Sequence, residues 1–196
     1  MKAVKTQNYC SILSKICIGS SISYTDPSNF NFLVGYRDSL FSFINPFFTQ
    51  YSLKIGFSFI ETFLNKKYNI LFVINLQDTT LFSKFNKICK RKNLALLKDL
   101  EISSGFLTNR KTSNLLLVTL FLDHEKTELI QKESLNRNIP LISFNDLSSN
   151  KFSSSVAVVG SYSSFLSRNL ILSLLSVCLE QKFTHGNKKT NDYTYK

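Results

Sequence analysis

Asp123, His124 and Glu125 stand where an apolar run gives way to a helix-like segment. A carboxylate, an imidazole and a second carboxylate are groups that bind metals or move protons. A metal site needs convergent ligands, and a pair of histidines one helical turn apart would help. The chain has 2 histidines, and the second, His185, lies far away near the C-terminus. Nucleophile-and-base chemistry meets the same shortage, because the base must itself be oriented by a third group. The plainer expectation is that Asp123 and Glu125 cap the first turn of a helix and interact with its positive N-terminal end. No catalytic residue, metal ligand or cofactor is expected, and the chain reads as a non-enzyme.

A nucleotide site would call for a glycine-rich turn between a strand and a helix. The turn after "NILFVIN" (69–75) is Leu76-Gln77-Asp78, with no glycine. After "VAVVGS" (156–161) there is Gly160, followed by serines that read as a helix N-cap. Neither turn brings main-chain amides around a pyrophosphate. A nucleotide-binding enzyme or regulator is retained as the alternative reading.

Charge is the stronger signal. Lys and Arg number 24 against 13 Asp and Glu, a formal net charge of +11. Such an excess suits a nucleic acid or another anionic surface and says little about fold. Hydrophobic residues make up 43% and charged residues 19%, which fits a folded protein rather than a disordered one.

The elements that would position these groups follow from periodicity. Residues 30–44 read as a β-hairpin turning at Gly35-Tyr36-Arg37-Asp38. Asn45 is a candidate N-cap before Pro46, and Phe48, Tyr51, Ile55, Phe59 and Phe63 form the expected apolar stripe of the helix that follows. Residues 69–75 read as a strand buried on both faces. Asp78 or Thr79 caps the next helix, whose Leu81, Phe85 and Cys89, with Phe82 and Ile88, face the sheet and whose end carries Lys84, Lys87, Lys90, Arg91 and Lys92. Strands are expected at 94–99, 114–122, 139–144 and 154–161, with helices at 125–137 and about 162–182. The alternation predicts an α/β fold: a three-layer, doubly wound, mainly parallel sheet with helices on both faces, plus an N-terminal β-hairpin. A single domain over 30–183 is expected, with an N-terminal extension (1–29) and a polar tail (184–196).

Cys10, Cys17, Cys89 and Cys178 show no C-x-x-C spacing and read as small hydrophobes rather than a disulfide or zinc framework. No run reaches the ~18 apolar residues of a membrane span, because Arg168 and Asn169 interrupt the strongest candidate (165–181). The stripe Leu170, Ile171, Leu174, Leu175 and Cys178 reads as core. Lys2, Lys5 and Lys15 without an acid resemble part of a transit peptide, although arginine is missing there. With 18 Phe and no Trp, and with abundant Asn, Lys and Ile, the composition reads as drift in an A+T-rich genome.

Several segments, in order, resemble the family of the second protein of the small ribosomal subunit, in its bacterial and organellar form. "GFLTNRKT" (105–112) follows the family's G-x-L-T-N-x-K-T and is the most specific match. "YTDPSNFNFLVGYRDSLFSFIN" (24–45) is similar to its R-W-N-P-K-M stretch and the hairpin after it. "LFLDHEKTELIQKESLNRNIPLISFND" (120–146) resembles its strand–acidic turn–helix–I-P strand, and "AVVGSYSSFLSRNLILSLLS" (157–176) resembles its terminal helix. The resemblance spans about Lys15 to Gln181. It departs where "CIGSSIS" replaces a histidine-containing stretch, and where Ser113 and a strand directly follow Thr112 in place of a long helical hairpin.

The resemblance implies a structural, non-catalytic protein of an organellar small subunit, with a mitochondrial ribosome ahead of a plastid one. It would bind small-subunit rRNA and neighbouring ribosomal proteins, with no membrane and no homo-oligomer. The implied rRNA contacts are Arg37, the helix end Lys84, Lys87, Lys90, Arg91 and Lys92, and the loop Thr108, Asn109, Arg110 and Lys111. Cations there would neutralise phosphates without reading sequence. Against this stands a local account: a solvated helix end that complements the dipole, and a turn whose Asn and Thr bond their own backbone.

Overall fold

The computed structural model describes residues 16–19, 21, 23, 25–37, 40–76, 78–109, 114–148 and 154–186. Five short runs with few polar interruptions pair into one sheet because main chain buried on both faces must find its hydrogen bonds in neighbouring strands. These are β3 (Asn69–Ile74), β4 (Ala95–Lys98), β5 (Leu115–Leu120), β6 (Leu141–Asn145) and β7 (Val156–Val159). All neighbours are parallel, in the order β4-β3-β5-β6-β7. Ahead of them stands the antiparallel hairpin β1 (Leu33–Arg37) and β2 (Phe41–Ile44), preceded by a 3-10 turn at Pro27–Phe32. The expected α/β class and the hairpin are both present.

The hairpin turns later than the glycine suggested. Gly35 and Tyr36 lie within β1, opposite Phe43 and Ser42, and Arg37 ends that strand opposite Phe41. Gly35 needs no special backbone angle: a Cβ there would meet nothing within 4 Å.

Helix α1 (Pro46–Asn65) starts as expected, with Asn45 Oδ1 accepting the Phe47 N–H and Pro46 in the first turn. Its buried face is a correction, however. Thr49, Leu53, Gly56 and Ile60 are buried, while Tyr51 is 65% and Phe48 46% exposed. That face mixes Leu53 and Ile60 with the small Thr49 and Gly56, and Gly56 lies against the sheet, where a Cβ would sit in ordinary contact, 3.6 Å from methyls of Ile142 and Val158. Phe59 and Phe63 still pack on the edge of the core, stacked on each other with ring centroids 5.4 Å apart.

Helix α2 (Thr79–Arg91) joins β3 to β4, and α3 (His124–Asn136) joins β5 to β6. Right-handed crossovers running in opposite directions across a sheet put their helices on opposite faces. One face carries α1, α2 and the C-terminal helix α4 (Phe165–Gly186) over Ile70, Phe72, Ile74, Leu116, Val118, Ile142 and Phe144. The other carries α3 and the β4–β5 connection over Leu71, Val73, Leu117 and Leu141. Within α4, Ile171, Leu175 and Cys178 are buried, as their spacing implied. The helix runs Phe165–Gly186, against the expected span of about 162–182.

Lys67, Asn93 and Asn138 follow α1, α2 and α3 with φ of 57°, 54° and 53°, the left-handed residue that commonly ends a helix. Among the described residues, no helix is long and apolar enough to cross a membrane.

Candidate nucleic-acid interface

On α2 the amphipathic pattern is realised. Leu81, Phe85 and Cys89 are buried against the sheet, and Phe85 meets Phe72 edge-on at 5.4 Å between centroids. Lys84, Lys87, Lys90 and Arg91 are exposed, and Lys92 is half-buried at the C-cap. Lys90 and Arg91 occupy the last turn, where they complement the helix dipole. Just beyond, Lys98 Nζ stands 4.6 Å from the centre of the Phe82 ring.

The loop after β4 has little regular structure of its own, and α3 holds it by its main chain. Glu133 accepts the N–H of Gly105 at 2.5 Å and that of Leu107 at 2.7 Å. Arg137 donates to the Thr108 carbonyl, and Lys126 Nζ donates to the Ile102 carbonyl at 2.8 Å. Positions 126, 133 and 137 share one side of the helix at 3.6 residues per turn. Ile102 and Leu107 drive their side chains into the core between these ties. Gly105 has φ +86° and a Cβ there would meet Asn109 Nδ2 at 2.7 Å, so the tight turn requires glycine. The Asn109 main-chain N–H donates to the Gly105 carbonyl at 2.9 Å, closing the turn. Thr108 is half-buried and Asn109 exposed; Arg110 and Lys111 lie outside the described residues.

The expected contact residues are not gathered into one patch. The α2 cations lie on the three-helix face and the 102–109 loop lies on the other, so the two groups flank the β3–β4 end of the sheet, with β4 as its edge strand. Arg37 belongs to the separate hairpin sheet.

Three side chains escaped the sequence reading: Lys126, Glu133 and Arg137. Glu133 alone left a trace, being a charged residue in phase with Ile130 on the inner side of α3 and buried there.

The acidic turn resolves simply. Asp123 holds the N-cap position without a side-chain cap bond, and instead accepts from Asn75 Nδ2 at 3.2 Å. The expected side-chain cap is therefore absent; the Asp123 carbonyl takes the Thr127 N–H at 2.9 Å. His124, Glu128 and Lys132 form i,i+4 pairs at 3.6 Å and 3.4 Å on the solvent side. Among the described residues, no group of three or more His, Cys, Asp or Glu could hold a metal ion. The strand order reverses direction between β3 and β5, the usual ligand crevice of such sheets. There Asp78 and Asp123 occupy the N-cap positions of α2 and α3, the places where a phosphate would need unopposed amides. Phe121, at φ 59°, turns its ring inward against Tyr162 at 5.3 Å between centroids.

Compared with known proteins, the chain matches no family model and no curated protein sequence.

Proposed function

We propose that this chain is a structural protein of the small subunit of an organellar, specifically mitochondrial, ribosome, binding small-subunit rRNA along the β4 edge of its sheet. One observation carries the reading. The loop that resembles the family's most specific motif is a turn tied by α3 at four main-chain atoms, Ile102 O, Gly105 N, Leu107 N and Thr108 O. Arg110 and Lys111 come next in the sequence, and the exposed cations of α2 lie at the β4 edge. RNA backbone is bound by placed positive charge, not by base reading, so the exposed cations of α2 beside the β4 edge suit a phosphate strand. The protein in this role has scaffolding and no chemistry to perform.

Sedimentation of organelle lysate at low and moderate salt tests the proposal. Co-migration of the chain with the small subunit at both salts is expected; recovery at the top of the gradient at every salt would overturn it. Within that experiment, Arg110→Glu with Lys111→Glu is expected to lower subunit occupancy. Replacing Lys84, Lys87 and Arg91 by Glu should flatten the salt dependence of RNA binding by roughly 0.7–0.9 log units per lost contact.

A further inference from the structure

The five strands of the central sheet all point the same way. A helix that feeds such a strand must finish at the strand's N-terminal end. The C-termini of α1, α2 and α3 therefore meet at one pole of the molecule, where β3, β4 and β6 begin at Asn69, Ala95 and Leu141. The two poles differ in charge.

At the strand N-terminal pole, Lys66 and Lys67 follow α1, Lys90, Arg91 and Lys92 close α2, and Arg137 closes α3. Lys92 is half-buried and the others are exposed. Arg137 remains exposed although it donates to the Thr108 carbonyl. Among the described residues, three acids lie towards this end. Glu133 is buried and accepts the Gly105 and Leu107 amides, Glu61 is half-buried one turn before the end of α1, and Glu180 is exposed on α4. Helix dipoles account for part of the pattern, since each C-terminus carries roughly half a negative charge, which one cation more than offsets. The ends of α1 and α2 carry two and three cations.

The opposite pole is acidic. Asp78, Asp123 and Glu125 stand at the starts of α2 and α3, Asp99 and Glu101 follow β4, and Asp146 follows β6. The cations there are engaged within the chain. Lys126 Nζ donates to the Ile102 carbonyl at 2.8 Å, Arg168 Nε donates to the Tyr162 carbonyl at 2.6 Å, and Lys98 stands over the Phe82 ring. His124 faces Glu128, and Arg37 lies apart on the hairpin, which Ile44 packs against Leu147 and Val159. Parallel sheets ordinarily take their ligands at the C-terminal ends of the strands. Here that end repels phosphate and the other end attracts it.

We propose that the phosphate backbone of RNA is bound across the strand N-terminal pole, with Lys66 and Lys67 at the end of α1 as contacts beside Lys90 and Arg91 of α2 and Arg137 of α3. The inference rests on the RNA-binding reading and carries the contact surface from the β4 edge round to the end of α1. Such contacts position the RNA and read no sequence.

Filter binding of the purified full chain to transcribed small-subunit rRNA, across a salt series, tests it with two charge-matched variants. Lys66→Gln with Lys67→Gln removes two charges at the pole. Lys54→Gln with Lys98→Gln removes two exposed charges away from it. Both variants should melt at the wild-type temperature. The pole pair is expected to weaken binding at low salt by about tenfold and to flatten the slope of log K against log salt by about 1.4–1.8. The second pair should change neither. A pole pair that binds as tightly as wild type, or equal losses from both pairs, would overturn the pole and leave RNA binding standing. Failure of the wild-type chain to bind rRNA at any salt, or tighter binding to phosphatidylserine vesicles than to rRNA, would overturn the RNA-binding reading and the pole with it.

Discussion

The two faces of the central sheet are covered by different means. On one, three helices press aliphatic and aromatic side chains onto strand residues of the same kind, and α2 buries Leu81, Phe85 and Cys89. On the other, α3 buries Thr127, Ile130, Gln131, Glu133 and Ser134, and a loop substitutes for a second helix. The polar side chains there are bonded to one another and to main chain: Ser143 Oγ lies 2.6 Å from Ser154 Oγ, which also receives Gln131 Nε2 at 3.3 Å. Thr119 Oγ1 and Asn145 Nδ2 are buried with no hydrogen-bond partner. The first face rests on area and packing; the second adds a small number of directed bonds to a smaller apolar cluster. A face held by directed bonds fixes main-chain positions more narrowly than a greasy contact does, which suits the face that carries the 102–109 turn.

That contrast can be broken experimentally. Phe72→Ala, in the dry face and fully buried against Phe85, is expected to cost about 3–5 kcal/mol, read by denaturant unfolding. Glu133→Ala leaves two amides without an acceptor and should cost about 2–3 kcal/mol. Its signature is local: hydrogen exchange at Gly105 and Leu107 should rise far more than at Phe72. Equal acceleration at all three would show that the loop is not an independently tied unit. Leu107→Ala, also on the loop face, should cost about 2 kcal/mol, the low end for a buried leucine, because a loop can settle into the space.

A pH series sharpens the same contrast. Burial pushes the Cys89 thiol up from 9.0 to about 12. The unfolded thiol therefore ionises first, and the contribution of Cys89 to stability is full below pH 9.0 and lost as pH climbs towards about 12. Cys89→Ala should remove that part of the alkaline decline, and the native thiol should resist alkylation at pH 8 until the protein unfolds. The smallest effect is expected at Asp146, whose carboxyl is pushed up by burial and drawn back by the Tyr162 N–H and Arg168. A carboxyl whose pKa is raised on folding costs stability above its ordinary range, so Asp146→Asn, which keeps an acceptor for Tyr162, should raise the melting temperature slightly at pH 7. A fall would show that attraction to Arg168 outweighs burial.

Much of the dry face was legible in the sequence. Continuous apolar runs marked β3, β5 and β6, and the spacing of Leu81, Phe85 and Cys89 marked the inner side of α2, because burial in a uniform environment writes a period into the chain. The same reasoning misread α1. Its bulkiest side chains also recur at helical spacing, but the face laid on the sheet is Thr49, Leu53, Gly56 and Ile60, and Thr49 and Gly56 give no hydrophobic signal. The tie between α3 and the 102–109 turn was out of reach for another reason. It joins side chains to main chain across 26 and 28 residues in the two Glu133 bonds, and main-chain acceptors and donors are the same whatever the residue type. Only a buried carboxylate in an otherwise inward stripe hinted at it.

The direction of that tie has a consequence for biosynthesis. Gly105 and Leu107 are made before the Glu133 that receives them, by 28 and 26 residues. At ~5–20 residues per second, the segment waits on the order of seconds for that acceptor to be made. The order in which the chain emerges therefore makes the 102–109 turn a late-setting part of the protein, complete only once α3 has formed behind it.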